Sequence, residues 1–341
     1  MGQNILGAAA MVVIAALSCA QAEAQSRPDF TGKTVTIISS FGSGGGYDLY
    51  ARLYAAHVGR HLAGTPPVVV RNMPGAGGLV GTNFLYNVAP KDGTAMGVVP
   101  QTVAIAHVLG ASGVKYDVGK FNWIGRINSN AEVEQTWYTS KVKTIADAKT
   151  NQAVLGGTGP DSSSVVFPRI LNELFGMKFK VVAGYEGVNM VSLAMERGEV
   201  EGMVRPWAVT KTVHPEWLAE KKINLLVQYA VERHPELKDV PAVVDLAEND
   251  KQRQILSLYA SGSDIGRSIV APPNLSPAMV TTLRAAFQGT IKDPQFLKEL
   301  ETSKLDFDPL SGEKLQEIVA GVEKVPPDVI ETARKFSEVQ K

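Results

Sequence analysis

Two short stretches decide how this chain is read: Gly42-Ser43-Gly44-Gly45-Gly46-Tyr47-Asp48 and Asn72-Met73-Pro74-Gly75-Ala76-Gly77-Gly78. Each follows a β-branched run, Thr34-Val35-Thr36-Ile37-Ile38 and Val68-Val69-Val70, and each opens a stretch with helical periodicity. Glycines at a strand-to-helix turn leave backbone N–H groups unshielded at a helix N-terminus, where an anion is held without a charged side chain. One such turn suggests a phosphate loop. Two close together, with no catalytic residues alongside, suggest a receptor that grips a small anion between backbone turns.

Outward from these turns the chain alternates. Strands are expected at Val35–Ser39, Val68–Arg71, Ala95–Val99 and Trp123–Ile127, with helices at Asp48–Leu62, Gly77–Val88 and Val103–Leu109 between them. The alternation continues through Val154–Gly156, helix Ser164–Phe175, Lys180–Ala183, helix Asn189–Arg197, Glu201–Val204 and Leu225–Tyr229. It lapses from His234 to Asp250, and the tail from Ser276-Pro277 onward is helical. Such alternation argues for α/β lobes with mainly parallel sheets flanked by helices, ligands lying beyond the carboxyl ends of the strands. The chain of 341 residues exceeds one ordinary domain. Lobe 1 is expected at 25–127 and 263–341, and lobe 2 at 128–262.

Residues 1–24 are a different material. Ile5 to Leu17 is an apolar run of about thirteen residues, and Ala22-Glu23-Ala24 fits a small-x-small cleavage site. No Lys or Arg precedes Ile5, and Ala16-Leu17-Ser18 fits a lipid anchor at Cys19 poorly. A cleaved export signal and a periplasmic location are the reading. Cleavage removes Cys19, the only cysteine, and with it disulfide, thiol-nucleophile and thiolate-metal chemistry. Basic and acidic residues balance at 34 each, so no basic stripe argues for nucleic acid. No cofactor is expected.

Each motif carries a plainer reading beside its functional one. Asp48 is expected to cap the first helix. No Lys follows the first turn, so it is not a phosphate loop. Gly75-Ala76-Gly77 with Gly81 resembles a dinucleotide fingerprint, but Asp92 precedes the next strand instead of ending it. His57 and His61 share a helical face without the Glu or third ligand that a zinc site needs. Ser162-Ser163-Ser164 after Gly156-Gly157-Thr158-Gly159 reads either as helix capping or as a third anion turn, and no G-x-S-x-G elbow occurs. Pro206 forces a turn that would put Arg205 or Trp207 into the cleft, where an anion site wants a bidentate donor.

Gly44-Gly45-Gly46-Tyr47-Asp48 with Ala51-Arg52, the second glycine turn, and Pro90-Lys91-Asp92-Gly93-Thr94 together resemble the Bug-type receptors, the periplasmic substrate-binding proteins of tripartite tricarboxylate transporters. Gly157-Thr158-Gly159, Tyr185-Glu186-Gly187 and Ser268-Ile269-Val270-Ala271-Pro272 extend the likeness over most of the chain. The resemblance implies a type II periplasmic-binding (Venus flytrap) fold and no enzymatic activity. It implies delivery of a small mono- or dicarboxylate to membrane permease subunits by a monomer. Carried over, it puts Gly45, Gly46, Asp48, Gly75, Ala76, Gly77 and Thr102 on one jaw, and Thr158, Ser162, Ser163 and Tyr185 on the other, with Tyr47 as a wall. Two departures stand out: Phe41-Gly42-Ser43 replaces prolines of the family's first turn, and Arg205 stands where an aspartate is common. Arg205 would suit a second acidic group. The rival readings are a secreted α/β hydrolase or lyase, and a ligand-sensing partner of a membrane kinase.

Overall fold

The computed structural model describes residues 28–158, 162–185 and 188–337. The segment expected to direct export, with Cys19 and Ala24, and Gly159, Glu186 and Gly187 of the second-lobe turns, lie outside the described residues.

The first sheet starts with the alternation read from sequence: β1 (Val35–Ser39), α1 (Gly46–Val58), β2 (Val68–Asn72), α2 (Leu79–Asn87), β3 (Ala95–Val98), α3 (Val103–Val108) and β4 (Asn122–Arg126). The second sheet follows with β5 (Glu132–Trp137), β6 (Ala153–Gly157), α4 (Ser163–Phe175), β7 (Phe179–Ala183), α5 (Val188–Glu196), β8 (Gly202–Pro206), α6 (Trp207–Val213), α7 (Pro215–Ala219) and β9 (Ile223–Tyr229). Helix α8 (Asp250–Ile265) leads back to the first sheet through β10 (Ser268–Ala271), α9 (Pro277–Thr290), α10 (Pro294–Thr302), β11 (Leu310–Ser311), α11 (Gly312–Glu323) and α12 (Pro327–Ser337).

Strand order is β11-β4-β10-β3-β1-β2 in one sheet and β7-β6-β8-β5-β9 in the other. Both sheets are mixed. β1 runs parallel to β2 and β3, while β10 inserts antiparallel between β3 and β4. β6 runs parallel to β7 and β8, while β5 inserts antiparallel between β8 and β9. The antiparallel insertions follow from the chain crossing between sheets twice. The carboxyl ends of β1 to β4 therefore lie along one edge of the first sheet. Those of β6 to β9, with the start of β5, lie along one edge of the second.

The crossings at 127–131 and 266–267 are hydrogen-bonded to each other. Ile127 N–H donates to Arg267 O at 3.1 Å, Arg267 N–H to Asn128 O at 2.8 Å, and Asn130 N–H to Ser263 O at 3.0 Å. Gly266 (φ +49) makes this possible, because a Cβ there would collide with the Asn128 carbonyl.

Two buried elements escaped the sequence reading. In β5 the glutamates Glu132 and Glu134 are buried beside Val133, so no polar face marks the strand. In α8 the first turns are charged and the last are rich in Ser and Gly, yet nine of its residues are buried. Its one local signal is Asn249, whose Oδ1 accepts from Gln252 N–H at 2.9 Å. Among the described residues no helix is long and apolar enough to cross a membrane.

Candidate functional site

The first glycine turn is built differently from the expectation. The N-cap of α1 is Gly45, extended at φ −84° and ψ 168°, and Asp48 is the third residue of the helix. The Asp48 carboxylate reaches back instead: Oδ2 accepts from Gly44 N–H at 2.9 Å and from Arg52 Nε at 2.8 Å, and Oδ1 accepts from Asn72 Nδ2 at 2.7 Å. With no side-chain cap, the first N–H groups of α1 have no intrahelical acceptor and stay available to an anion.

Asp48 is 2% exposed. Burial pushes its carboxyl up, but Arg52, the Gly44 amide and Asn72 outweigh that and hold it at about 2. A depressed carboxyl contributes stability above its unfolded value of 3.8, lost as pH falls toward 2. Asp48→Asn is expected to cost about 2 kcal/mol at pH 7. Wild-type and variant denaturation curves should converge between about pH 4 and pH 2; a constant gap would contradict this origin.

Asn72 laces the two turns together. Its Nδ2 also donates to Phe41 O at 3.0 Å, and its Oδ1 accepts from Ser43 Oγ at 3.2 Å and Arg52 Nη2 at 3.1 Å. Beyond it Gly75, Ala76, Gly77 and Gly78 all have positive φ, at 135°, 46°, 63° and 95°. Ala76 there is a strained position of the kind found at ligand clamps.

The cation at this site was not found by sequence reasoning. The Arg267 guanidinium lies 4.0 Å over the Tyr47 ring, and a Cβ on Gly46 would sit 3.8 Å from its Nη2. Arg267 donates to Gln101 Oε1 and Asn130 Oδ1, both at 3.3 Å. Gln101 N–H in turn donates to Tyr47 Oη at 3.0 Å, and Asn130 Nδ2 donates to Gln101 Oε1 at 2.7 Å. Among the described residues Arg267 forms no salt bridge, although it is half-buried. The only local signal was a Gly-Arg pair closing a helix.

On the second sheet Ser162 occupies the N-cap of α4, and Thr158 N–H donates to Ser164 Oγ at 3.1 Å. Ser162 and Ser164 hydroxyls lie 2.8 Å apart. Gly184 N–H donates to Thr158 O at 2.8 Å and Tyr185 N–H to Gly157 O at 3.2 Å, so the serine and tyrosine turns are adjacent. The Tyr185 ring folds back toward Gly156 and Val191.

Between the two edges lies a chamber of about 130 Å³. Gln101, Thr102 and Ile105 line it from the first sheet, Ser163, Val166 and Phe167 from the second, and Tyr259 and Gly262 from α8. A larger cavity of about 640 Å³ lies against another face of α8 (Gln254, Ser257, Asp264), lined also by Arg126 and α11, and no glycine-turn residue borders it. No glycine-turn residue lines the smaller chamber either, but its Gln101 is hydrogen-bonded to Tyr47 and to Arg267, so it is the smaller chamber that is joined to the first turn.

The model of the tripartite tricarboxylate transporter family receptor matches residues 50–326. The chain belongs to that family. A Cupriavidus necator protein described as the UPF0065 protein in the gbd 5′ region is 24% identical over 335 residues, covering 93% of each chain. The solved TctC solute-binding protein from Polaromonas superposes with TM-score 0.70 at 18% identity, covering 88% of this chain and 99% of its own. Rpa4515 of R. palustris, solved with adipate, gives 0.60 at 18% identity, covering 91% and 98%. The fold is that of the two-lobed periplasmic binding proteins, with a helical C-terminal tail.

In this receptor the expected residues do not all meet. Gly45, Gly46, Tyr47, Asp48, Gly75, Ala76, Gly77 and Thr102 line the first-lobe edge at or beside the turns; Thr158, Ser162, Ser163 and Tyr185 line the second. Phe41, at the departure from the family's prolines, stacks on Tyr47 with ring centroids 4.2 Å apart, closing one wall. Arg205 is not at the cleft surface. β8 extends through Pro206, so Arg205 lies inside the strand at 0% exposure, with Nη1 donating to Ser192 Oγ at 3.1 Å and the guanidinium 5.4 Å from the Trp217 ring. Burial pulls it down to about 10, and no carboxylate pairs with it among the described residues. Trp207 is buried too, its Nε1 donating to Glu236 Oε2 at 2.7 Å. His57 and His61 bind different acids, Glu299 at 2.7 Å and Asp293 at 3.2 Å, which leaves no shared metal position.

Proposed function

We propose that this chain captures a small organic acid between its lobes and passes it to permease subunits of a tripartite tricarboxylate-type transporter. The observation that carries this is Arg267: a half-buried guanidinium that forms no salt bridge among the described residues, set against the bare N-terminus of α1. Together they supply a fixed positive charge and oriented amides for one carboxylate. The lobes are taken as 25–127 with 263–341, and 128–262. The Ser162–Ser163 turn contributes the opposing contacts, and the chamber takes the ligand's carbon chain. Arg205, one layer beneath the second jaw, adds positive potential rather than a contact. Because the acid bridges both lobes, its differential affinity drives closure. Similarity to a protein solved with adipate supports an acid of this size class. The site works by binding alone, in the periplasm.

A thermal-shift panel of linear mono- and dicarboxylates tests this reading. At one hundred times Kd a true ligand adds about 2.7 kcal/mol, a rise of roughly 4 °C for a chain of this size. A panel in which no acid raises the Tm rejects it.

A further inference from the structure

The cleft holds a feature that acid capture alone leaves unused. Glu132 begins β5 at the crossing between lobes and is only 6% exposed. Its Oε2 is buried without a hydrogen-bond partner among the described residues. Burial pushes its carboxyl up, opposed by Ser163, Arg267 and Gln101 beside it. Two of those neighbours, Gln101 and Ser163, line the chamber, and the third is the cation proposed to hold the ligand's acid. An orphaned buried acceptor beside a ligand chamber costs stability unless something fills it.

We propose that Glu132 reads a hydrogen-bond donor on the carbon next to the ligand's carboxylate, making the cleft selective for 2-hydroxy acids. The inference rests on the receptor reading above. A carboxylate seated between Gly46 and Arg267 lies next to Gln101, which Arg267 bonds, and Glu132 neighbours both Gln101 and Arg267. A hydroxyl there gives Glu132 its missing partner. An ammonium is the other donor of that geometry, but Arg267 stands beside Glu132 and the chamber walls Ile105, Val166 and Phe167 are apolar. A neutral donor therefore fits and a second cation does not. The site is built to bind a hydroxyl, and such sites discriminate sharply against analogues lacking one.

Calorimetry with matched trios decides the matter: butanoate, 2-hydroxybutanoate and 2-aminobutanoate, and the same three forms of adipate. In at least one trio the hydroxy acid is expected to bind about tenfold more tightly than its parent. Glu132→Leu should erase that ratio while leaving the parent acid's affinity within about threefold, and Glu132→Gln, which keeps a neutral donor and acceptor, should retain most of it. Both variants remove a buried acid and are expected to fold, which circular dichroism checks. An unchanged ratio in Glu132→Leu overturns the proposal but not the receptor. So does preference for the amino form that Glu132→Gln abolishes. If the wild type binds no acid at all, the receptor reading itself fails, and this one with it.

Discussion

Arg267→Ala is expected to raise the Kd for the captured acid about a hundredfold while leaving the fold intact. Charge-assisted hydrogen bonds are worth about 1.5–3 kcal/mol, and the upper half of that range corresponds to this factor. The side chain meets the protein through two 3.3 Å hydrogen bonds and a cation–π contact with Tyr47. None of these is a salt bridge, and Glu132, the buried carboxyl that its charge favours, can take up a proton when that charge is gone. Its removal should therefore show in Kd rather than in Tm. Arg267→Lys keeps the charge but loses the planar fork, and is expected to recover only part of the affinity. Calorimetry on the wild type and both variants, at fixed ionic strength, reads the effect directly. An alanine variant with unchanged Kd would remove Arg267 from the site and leave the backbone amides to act alone.

Glu134→Gln is expected to make this protein more stable at pH 8.5 by on the order of 4 kcal/mol, and to leave it nearly unchanged at pH 4. Glu134 sits on β5 at 0% exposure; its Oε2 accepts from Tyr229 Oη at 2.7 Å, while its Oε1 is buried without a partner among the described residues. Burial pushes its carboxyl up to about 8 from 4.5, and the Tyr229 hydroxyl offsets this only in part. The folded state thus keeps a proton that the unfolded chain gives up. A raised carboxyl contributes stability that is complete below about 4.5 and lost as pH rises toward 8. The amide keeps the acceptor for Tyr229 but has no proton to lose. Urea denaturation at both pH values measures it, and equal curves for the two proteins at pH 8.5 would show that Glu134 ionises normally. Glu132 lies two residues earlier on the same strand and steepens the wild-type profile in the same direction.

Much of this architecture was legible. The strand-to-helix turns at Gly45-Gly46 and Gly75-Ala76-Gly77 were placed correctly because glycines answer a local demand there, open amides at the first and positive φ at the second. Strands such as Val35–Ser39, the same residues in sequence and structure, follow from β-branched runs flanked by turn residues. Asp48 was given the right neighbourhood and the wrong task. Side-chain chemistry alone cannot tell an N-cap from a third helical residue whose carboxylate reaches back to the preceding loop.

Other features had no local signal. β5 was missed because its glutamates are buried, so the usual marker of a strand, polar out and apolar in, is absent. Arg205 was expected in the cleft because proline follows it, but the strand pairs on to Pro206 and carries the side chain under α5 and α7. Arg267 lies more than two hundred residues from the turn it serves, and nothing in its own surroundings announces that.

The sequence by itself determined the alternation of strands and helices, the glycine turns, and the likeness to a family of acid receptors. These depend on backbone conformations and on periodicities within a few residues. Tertiary structure alone decided which charges meet beside the first glycine turn. The antiparallel return through α8 and β10 brings Arg267 onto Tyr47, while β5 turns Glu132 toward the same point. A site's electrostatics are set by through-space neighbours in a low-dielectric interior, and the linear chain does not record which of its charges will be neighbours.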